Sequence, residues 1–488
     1  MESISSQMAA ASPTLVGNFD VVIAGGGMTG AMLALQLLEQ QPQLRLAIIE
    51  QYATEQHAAD TLAAPKVSFD SRSIALSAAS VDLLRQWGLW AELGQHACAI
   101  AQIKVSDRGH FGKANLSAAE FGRHSLGHVI EIEWLGALLY PKLQRHADRG
   151  ALTWFRPARI AAIVQADAHN TLQLADGRQL ESKLLVLAEG GDSPTRQLAG
   201  FVCQIEPYQQ SALIANIAIA SPHQHIAYER FTSTGPLALL PLSRQRYSLV
   251  WTLDPASAEA MLKLDEAAFL AQLQQAFGYS AGIFTSVGQR QLYPLSLKYC
   301  AEVARHRILL CGNSLHNLHP IAGQGFNLAL RDIAAIVQLA SQMIPQLQPP
   351  MPTSIPAPIT TPMSTFDGLA QPAFDIGCYP LWRSYQQVRQ ADMQQVIQLT
   401  DGMVKLFSNQ SRLLALGRNL GLSALMQCQG LKQRFAEQTM GLTPLTTQQQ
   451  QIQRSVTTAT LNHSKLASTG LAGMLPATTG QDTIDANH

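Results

Sequence analysis

One stretch indicates the fold class most clearly: Arg307-Ile-Leu-Leu-Cys-Gly-Asn-Ser-Leu-His-Asn-Leu-His-Pro-Ile-Ala-Gly-Gln-Gly-Phe-Asn-Leu-Ala-Leu-Arg-Asp332. Ile308 to Cys311 is a short apolar run typical of a buried strand, and Gly312 ends it. From Phe326 onward, apolar residues recur at helical spacing. The stretch therefore predicts a strand, a loop and a helix in that order.

The glycines of this stretch leave room for a ligand at the start of the helix. Gly323 and Gly325 place no side chains beside the first free N–H groups, and Pro320 stops any earlier helix. A helix N-terminus also favours negative charge nearby. The stretch thus predicts contact with a flat or anionic ligand. An ordinary strand-loop-helix connection remains the alternative, because glycines are common at helix starts.

A second glycine-rich turn lies near the start of the chain. Residues 19–24 form an apolar strand pattern, residues 31–40 an apolar helix pattern, and residues 44–49 a second strand pattern that ends in Glu50. An acid about 20 residues past the glycines is where a Rossmann unit binds a ribose hydroxyl. The complete unit predicts a dinucleotide site, although it does not distinguish FAD from NAD.

Each glycine between this strand and helix has its own expected role. Gly25 permits the tight turn, Gly27 lets the backbone approach a pyrophosphate, and Gly30 lets the helix pack on the strand. The chain carries no second turn of this kind, so a single dinucleotide is expected.

Composition narrows the classes of partner. Basic and acidic residues each total 34 in 488 residues, so no nucleic-acid partner is expected. Charged residues make up only 14%, below the usual value of about 25%, which leaves room for an apolar partner or a membrane surface. The apolar runs are too short for a membrane span, and the N-terminus lacks the pattern of a signal peptide. We expect a cytoplasmic protein, with any membrane contact peripheral and on the cytoplasmic face.

Six cysteines are scattered without a C-x-x-C pair, which indicates reduced thiols and no zinc or other metal site.

The runs 312–316 and 320–332 resemble the second flavin motif of the aromatic-ring monooxygenases of the para-hydroxybenzoate hydroxylase superfamily, and most of all its ubiquinone-biosynthesis hydroxylases. The resemblance extends over residues 18–344 and 375–442. Asn313 stands where the family more often has Asp, and Glu189-Gly190 where it has Asp-Gly. We expect Asp192 to cap the helix that begins at Ser193 and Pro194, rather than to replace the shorter acid.

The resemblance implies an α/β fold in which a Rossmann-like FAD-binding domain is interleaved with a β-sheet substrate domain, followed by C-terminal helices. The FAD-binding domain is expected at 18–99, 130–200 and 291–344, and the substrate domain at 100–129 and 201–290. Residues 345–374 form a Pro-rich segment expected to be a disordered insertion, residues 375–442 a helical region, and residues 1–17 and 443–488 flexible tails.

The resemblance also implies the site residues. Arg72 matches an arginine that reaches the flavin in the family, and His316 and Pro320 are expected near the flavin without an assigned catalytic role. His316 and His319 could act as bases, but structural roles are favoured. The implied cofactor-binding residues are Gly25, Gly27, Gly30, Glu50, Arg72, Glu189, Gly190, Gly312, Asn313, Gly323, Gln324, Gly325 and Asn327.

The implied chemistry is that of an FAD monooxygenase, with NAD(P)H as the expected electron donor. In this family, reduced flavin and O₂ give a C4a-hydroperoxide, which hydroxylates an electron-rich phenol such as 2-polyprenyl-6-methoxyphenol to the 1,4-benzoquinol. Plain sheet core is favoured for the apolar strands at 209–220 and 227–253, but a prenyl tunnel, if present, is expected in this sheet. Proteins of a ubiquinone-biosynthesis complex are expected partners.

Three alternatives remain open from the sequence. One is hydroxylation at another ring carbon, another is a flavin-dependent reductase of isoprenoid lipids, and the third is a non-catalytic subunit. The C-terminal region raises a separate question, since Arg412, Arg418, Lys432 and Arg434 flank leucines and could meet a membrane face. An ordinary packed helix is favoured there.

Overall fold

The computed structural model describes residues 14–52, 72–110, 112–242, 245–343, 375–407 and 426–442, together with residues 419, 421 and 424. The Pro-rich insertion, the C-terminal tail, most of the N-terminal tail, Arg412 and Arg418 lie outside this part of the chain. The first strand begins at Thr14, inside the segment 1–17 that the sequence predicts to be a tail. The other predicted domain boundaries stay predictions.

The α-helices with described bounds are α1 Met28–Gln40, α2 Ala78–Gln86, α3 Trp90–Leu93, α4 Ile132–Asp148, α5 Pro194–Leu198, α6 Pro255–Lys263, α7 Glu266–Phe277, α8 Gln324–Met343, α9 Tyr379–Phe407 and α10 Gln429–Thr439. Short 3₁₀-helices lie at Ala118–Phe121, Gly312–Ser314 and Ile321–Gly323.

The described strands are β1 Thr14–Ala24, β2 Leu46–Ile49, β3 Ser73–Ser77, β4 Cys98–Ile100, β5 Gln102–Asp107, β6 Lys113–Ser117, β7 Gly127–Glu131, β8 Leu152–Phe155, β9 Ile160–Gln165, β10 Asn170–Leu174, β11 Arg178–Leu187, β12 Cys203–Ile219, β13 Ile226–Thr232, β14 Gly235–Pro241, β15 Arg246–Leu253, β16 Phe284–Val287, β17 Gln291–Cys300, β18 Ala304–Arg305, β19 Ile308–Leu310 and β20 His316–Asn317.

The first large sheet has a parallel centre. Its strand order is β18-β19-β11-β1-β2-β8, and β19, β11, β1, β2 and β8 run parallel to their neighbours. Val21, Val22 and Ile23 are fully buried, as expected for a central parallel strand covered on both faces. β9 and β10 extend this sheet as antiparallel strands beside β11, and Asp176-Gly177 lies in the turn between β10 and β11.

The second large sheet is mostly antiparallel, in the order β20-β17-β12-β15-β14-β13-β5-β6, with β16 beside β12. One face packs on α6 and α7 through residues such as Leu213, Leu249 and Phe269. A third, smaller sheet has the order β3-β7-β4. The strands of the two large sheets alternate along the chain, which confirms the predicted α/β fold with interleaved domains. Among the described helices, none is both long enough and apolar enough to cross a membrane.

One prediction about the cysteines is wrong. Cys203 and Cys300 form a disulfide, although the sequence analysis expects reduced thiols. The two residues lie opposite each other because β12 pairs with β17 in antiparallel register, a long-range pairing that cysteine spacing does not reveal. Cys98, Cys311, Cys378 and Cys428 are free thiols, as expected.

Candidate active site

A cavity of about 560 Å³ opens where the carboxyl ends of β1, β2 and β11 meet the second large sheet. Ligands of open parallel sheets bind outside the carboxyl ends of the strands. Of the residues expected at the site, those that line the cavity are Gly25, Gly27, Glu50, Glu189, Gly190, Asn313, Pro320, Gly323 and Gly325.

The first glycine turn has the geometry that a bound pyrophosphate requires. Gly25 has a φ of +103°, and a Cβ on Gly30 would lie 1.9 Å from the carbonyl oxygen of Gly25. A Cβ on Gly27 would meet nothing within 4 Å, because this residue borders the open cavity. Gly27 is also the N-cap of α1 and supplies no side-chain hydrogen bond to the first turn. The helix start is therefore available to an anion.

Glu50 closes the same end of the cavity. Its Oε2 accepts a hydrogen bond of 2.7 Å from the N–H of Gly26, and its Oε1 accepts one of 3.0 Å from the N–H of Tyr52. These bonds fix the carboxylate at the cavity wall while each oxygen keeps a further lone pair. The placement suits a ribose hydroxyl.

The second motif packs directly on the first. Gly312 has a φ of +61°, and a Cβ there would lie 2.8 Å from Cγ2 of Thr29, in the first turn of α1. The side chain of Asn313 is exposed and lines the cavity, so its amide can contact a ligand. A Cβ on Gly325 would meet nothing within 4 Å at the start of α8, as expected for a position that a ligand approaches.

The far side of the cavity is apolar. Ile214, Leu240 and Val250 line it from β12, β14 and β15, and are here called the apolar wall. Leu318 and Phe326 add to it from the second motif. One cavity thus joins a polar end, suited to a nucleotide, to an apolar end, and its lining residues fit FAD.

Comparisons with known proteins agree with this geometry. The model of the FAD binding domain family matches residues 18–345. The ubiquinone hydroxylase UbiL of Rhodospirillum rubrum is 30% identical to this chain over 90% of the chain and 93% of its own length. The 3-demethoxyubiquinol 3-hydroxylase of Escherichia coli is 27% identical over 87% of the chain and 98% of its own length. This chain belongs to the FAD-dependent hydroxylases of ubiquinone biosynthesis.

Solved structures support the fold of the hydroxylase. PqsL of Pseudomonas aeruginosa has a TM-score of 0.63 at 20% identity and covers 82% of this chain and 100% of its own. The p-nitrophenol 4-monooxygenase PnpA of Pseudomonas putida has a TM-score of 0.64 at 14% identity, over 87% of this chain and 98% of its own. The family model and the similarity to UbiL show that the hydroxylase is an FAD-dependent monooxygenase.

Several residues expected to bind FAD do not line the cavity of the hydroxylase. Asn327 is bound internally: its Nδ2 donates to the carbonyl oxygens of Ala75 and Gly323, and its Oδ1 accepts from the N–H of Ser77. Arg72 is exposed, at the edge of the described residues just before β3. The predicted site residues outside the cavity lining are Gly30, Arg72, Gly312, Gln324, Asn327 and His316.

Glu189 keeps its place at the cavity but is bound by its own chain. Its carboxylate accepts hydrogen bonds from the hydroxyl of Ser193 at 2.5 Å and from the hydroxyl and N–H of Thr195 at 2.6 and 3.2 Å.

The prediction that Asp192 caps α5 is wrong. Ser193 is the N-cap and accepts from the N–H of Arg196, while Asp192 pairs with Lys298. Ser193 directly precedes Pro194 at the first helical position, which gives its side chain the better approach to the free N–H groups.

The two histidines of the second motif, His316 and His319, are both buried but have different hydrogen-bond partners. His316 is fully buried and contacts Asp332. His319 is also buried, and its Nδ1 accepts from the N–H of Ile321 at 3.2 Å, which leaves the proton on Nε2. Burial lowers the pKa of His319 to about 4, so the ring is neutral near pH 7. Neither geometry suits a general base.

Four residues at the nucleotide end of the hydroxylase were not predicted: Tyr140, Trp154, Arg156 and Arg159. Tyr140 donates a hydrogen bond of 3.1 Å to the carbonyl oxygen of Gly26, and the guanidinium of Arg156 lies 4.3 Å from the ring centre of Trp154. The parallel pairing of β8 with β2 brings Trp154 opposite Ile48. Because these residues lie about a hundred positions from the glycine turn, no local pattern in the sequence could identify them.

Proposed function

We propose that the hydroxylase converts 2-polyprenyl-6-methoxyphenol to 2-polyprenyl-6-methoxy-1,4-benzoquinol, the reaction of 2-octaprenyl-6-methoxyphenol hydroxylases. The observation that carries this proposal is the apolar wall, which lies in the same cavity as Gly27 and Glu50. A prenylated phenol needs an apolar surface beside the flavin, and the wall is the part of the cavity with that character.

Different residues of the cavity bind the cofactor and the phenol substrate. Gly27 and the start of α1 bind the pyrophosphate, Glu50 binds ribose hydroxyls, and Asn313 contacts the chain between pyrophosphate and ring. FAD held by these residues and reduced by NAD(P)H would supply the chemistry that activates O₂ as an electrophilic oxygen donor. The apolar wall holds the phenol ring near the flavin and excludes water from the reaction.

A second candidate is hydroxylation at another carbon of a ubiquinone precursor. The name of the Escherichia coli relative describes a hydroxylase that acts at position 3 of demethoxyubiquinol. The match to this chain spans 98% of that relative's length. The family model and the ubiquinone hydroxylase relatives argue against the reductase and non-catalytic alternatives.

Deletion of the gene in aerobic cells tests the substrate. Mass spectrometry of the lipids should reveal 2-polyprenyl-6-methoxyphenol in place of ubiquinone, and the wild-type gene should restore ubiquinone. Accumulation of a different prenylated precursor would identify another ring position. Unchanged ubiquinone would overturn the proposed pathway step. Complementation with Gly27→Val, which removes the FAD site, is the matched negative control.

The proposal also includes two kinds of contact. The hydroxylase binds partner proteins of ubiquinone biosynthesis, and it contacts the cytoplasmic face of a membrane peripherally. The prenyl chain of the substrate supports it, since such a lipid resides in a bilayer. The basic residues near the C-terminus support it less, because Nζ of Lys432 lies 2.6 Å from Oε2 of Glu120 and is only slightly exposed. Flotation of the purified protein with anionic vesicles measures this contact directly.

A further inference from the structure

Glu229 lies on the cavity side of the second large sheet. Its neighbour Tyr228 faces α7, where its ring centre is 5.4 Å from that of Phe277. Successive side chains of a strand point to opposite faces, so Glu229 points away from these helices. Leu240 and Val250 point the same way and line the cavity.

The register of the strands places Glu229 in one row with the apolar wall. Glu229 pairs with Ala238, Ala238 with Val250, and Val250 with Ile214. Neighbouring strands lie about 4.8 Å apart, so the backbone of Glu229 is about 10 Å from that of Val250. Within the sheet, Ala238 is the residue that lies between them in this row.

Accessibility supports a recess along this row. Ile214, Val250, Ala238 and Glu229 all keep part of their surface accessible. The residues next to them on the opposite face are buried, as shown by Leu213, Leu249, Leu239 and Tyr228. Within this row, Ile214 and Val250 line the cavity, and Ala238 and Glu229 continue it as partly accessible residues on the same face.

The carboxyl group itself lacks a protein partner at one oxygen. Oε1 of Glu229 is fully buried, and among the described residues it has no hydrogen-bond partner. On either side along β13, Ala227 and Phe231 belong to small apolar clusters. Burial in this environment raises the pKa of Glu229 to about 8. A buried polar atom without a partner is costly, so a ligand that donated a hydrogen bond to this oxygen would bind favourably.

Few other titratable groups surround this position. On β5, Val105 is the residue paired with Glu229. Asp107, two residues farther along β5, pairs with Phe231. Arg230 follows Glu229 on β13, and Lys104 on β5 pairs with Tyr228; strand alternation turns both toward the opposite face. Other titratable groups among the described residues are Tyr208, His319 and Asp401 beside the Phe231 cluster, and the ion pair of Arg246 with Glu131.

We propose that Glu229 accepts the hydrogen bond and the proton of the substrate's phenolic hydroxyl group. This inference rests on the proposed function and assigns a residue to it. The phenol O–H bond breaks, the proton moves to the carboxylate of Glu229, and the electron pair stays on the phenol oxygen. The resulting phenolate is richer in electrons at the ring carbon opposite the oxygen, where an electrophilic oxygen atom is added.

The acidity of the two groups suits this transfer. A free phenol such as tyrosine has a pKa of about 10. The raised pKa of Glu229 lies much closer to that value than an ordinary carboxyl does, so the proton can be shared. The carboxylate form is the active one, and the rate of hydroxylation should therefore rise as the pH passes through about 8.

Single-turnover measurements on the holoenzyme test the role of Glu229. The enzyme is reduced with dithionite, mixed with O₂ and 2-prenyl-6-methoxyphenol, and assayed for hydroxylated product by mass spectrometry from pH 6 to pH 10. Glu229→Gln keeps the size of the side chain but cannot accept a proton. It should lower the rate about 100-fold and abolish the rise through pH 8. Glu259→Gln, the same substitution at an exposed position of α6, should leave rate and profile unchanged.

The outcomes separate this inference from the proposed function. If wild type hydroxylates the probe and Glu229→Gln does so at a similar rate with the same pH profile, the role of Glu229 is overturned. If wild type with full flavin content does not hydroxylate the probe, the proposed function is contradicted, whatever the result for Glu229→Gln.

A second measurement decides the matter if Glu229→Gln loses its flavin. Binding of 2-prenyl-6-methoxyphenol and of its methyl ether to wild type is followed by the flavin absorbance. The ether lacks the proton that Glu229 accepts, so it should bind at least about 10-fold more weakly. Equal affinities would overturn the proposal.

Discussion

Nε2 of His316 lies 2.8 Å from Oδ2 of Asp332, and both side chains are fully buried. The same carboxylate accepts a hydrogen bond of 2.9 Å from the N–H of Gly312 and one of 2.6 Å from Nε of Arg389. Asp332 thereby joins the second flavin motif, α8 and α9. Arg389 and Arg331 both pair with Asp392, so the network continues within the buried interface of these helices.

Asp332→Asn should destabilise the protein strongly. The substitution leaves Arg389 buried without its full ion pair, which costs about 3–5 kcal/mol of unfolding free energy. Burial alone would raise the pKa of Asp332, but the charges of Arg389 and His316 outweigh it and lower the pKa. The stabilisation is thus present above the ordinary carboxyl range and lost as the pH falls through the lowered pKa.

Urea unfolding of the holoenzyme at several pH values checks this expectation. Wild type should lose stability at acid pH more steeply than Asp332→Asn. The matched control is Asp167→Asn, at an exposed position. Equal unfolding free energies for wild type and Asp332→Asn at pH 7 would contradict the structural role of the pair.

Gly27→Val should fold and fail to bind FAD. Gly27 has φ −65° and ψ −175°, which valine adopts readily, and no protein atom lies within 4 Å of the added Cβ. The new side chain instead projects into the space where the pyrophosphate binds. Flavin absorbance after purification measures the loss, and circular dichroism verifies the fold.

Gly402→Val is the control for Gly27→Val, because it is exposed on α9 and equally free of neighbouring atoms. It should retain full flavin content. Normal flavin content in Gly27→Val would contradict the placement of the nucleotide.

The parts of the site that follow one another in sequence were predictable. Gly25, Gly27 and Glu50 belong to one strand-helix-strand unit, where the chemistry of the turn fixes the residue types. Neighbouring candidates are harder to separate. Asp192 and Ser193 are both good caps, and only the backbone approach of the loop decides for Ser193.

Long-range pairing accounts for most of what the sequence did not reveal. Arg156 reaches the cavity because β8 pairs with β2, and Glu229 joins the row of the apolar wall because three strands align in register. Cys203 meets Cys300 for the same reason. Strand register depends on the whole sheet, so local patterns carry no information about these contacts.

The neutral state of His319 should make the protein sensitive to mild acid. Its pKa is lowered by burial to about 4, below the value of about 6.5 in an unfolded chain. The unfolded state therefore binds more protons between these values. Stability is complete above pH 6.5 and should fall by up to about 3 kcal/mol as the pH decreases toward 4.

His319→Asn tests this dependence, because the Asn side-chain oxygen can replace Nδ1 as the acceptor for the N–H of Ile321. Unfolding free energies measured from pH 4 to pH 7 should vary less in this variant than in wild type. His124→Gln, at an exposed position, should behave as wild type does. An unchanged slope in His319→Asn would contradict the assigned neutral state.

Leu240→Ser should weaken the binding of prenylated substrates and leave flavin binding intact. Leu240 is partly accessible in the cavity and lies at the apolar end, away from Gly27 and Glu50. Loss of a leucine contact removes about 1.5–3 kcal/mol of apolar burial, so the KM for 2-prenyl-6-methoxyphenol should rise about 10-fold or more. The KM for 2-methoxyphenol, which lacks the prenyl chain, should change little. A parallel rise for both compounds would place the prenyl group elsewhere, because a contact made only with that group cannot affect a substrate without it.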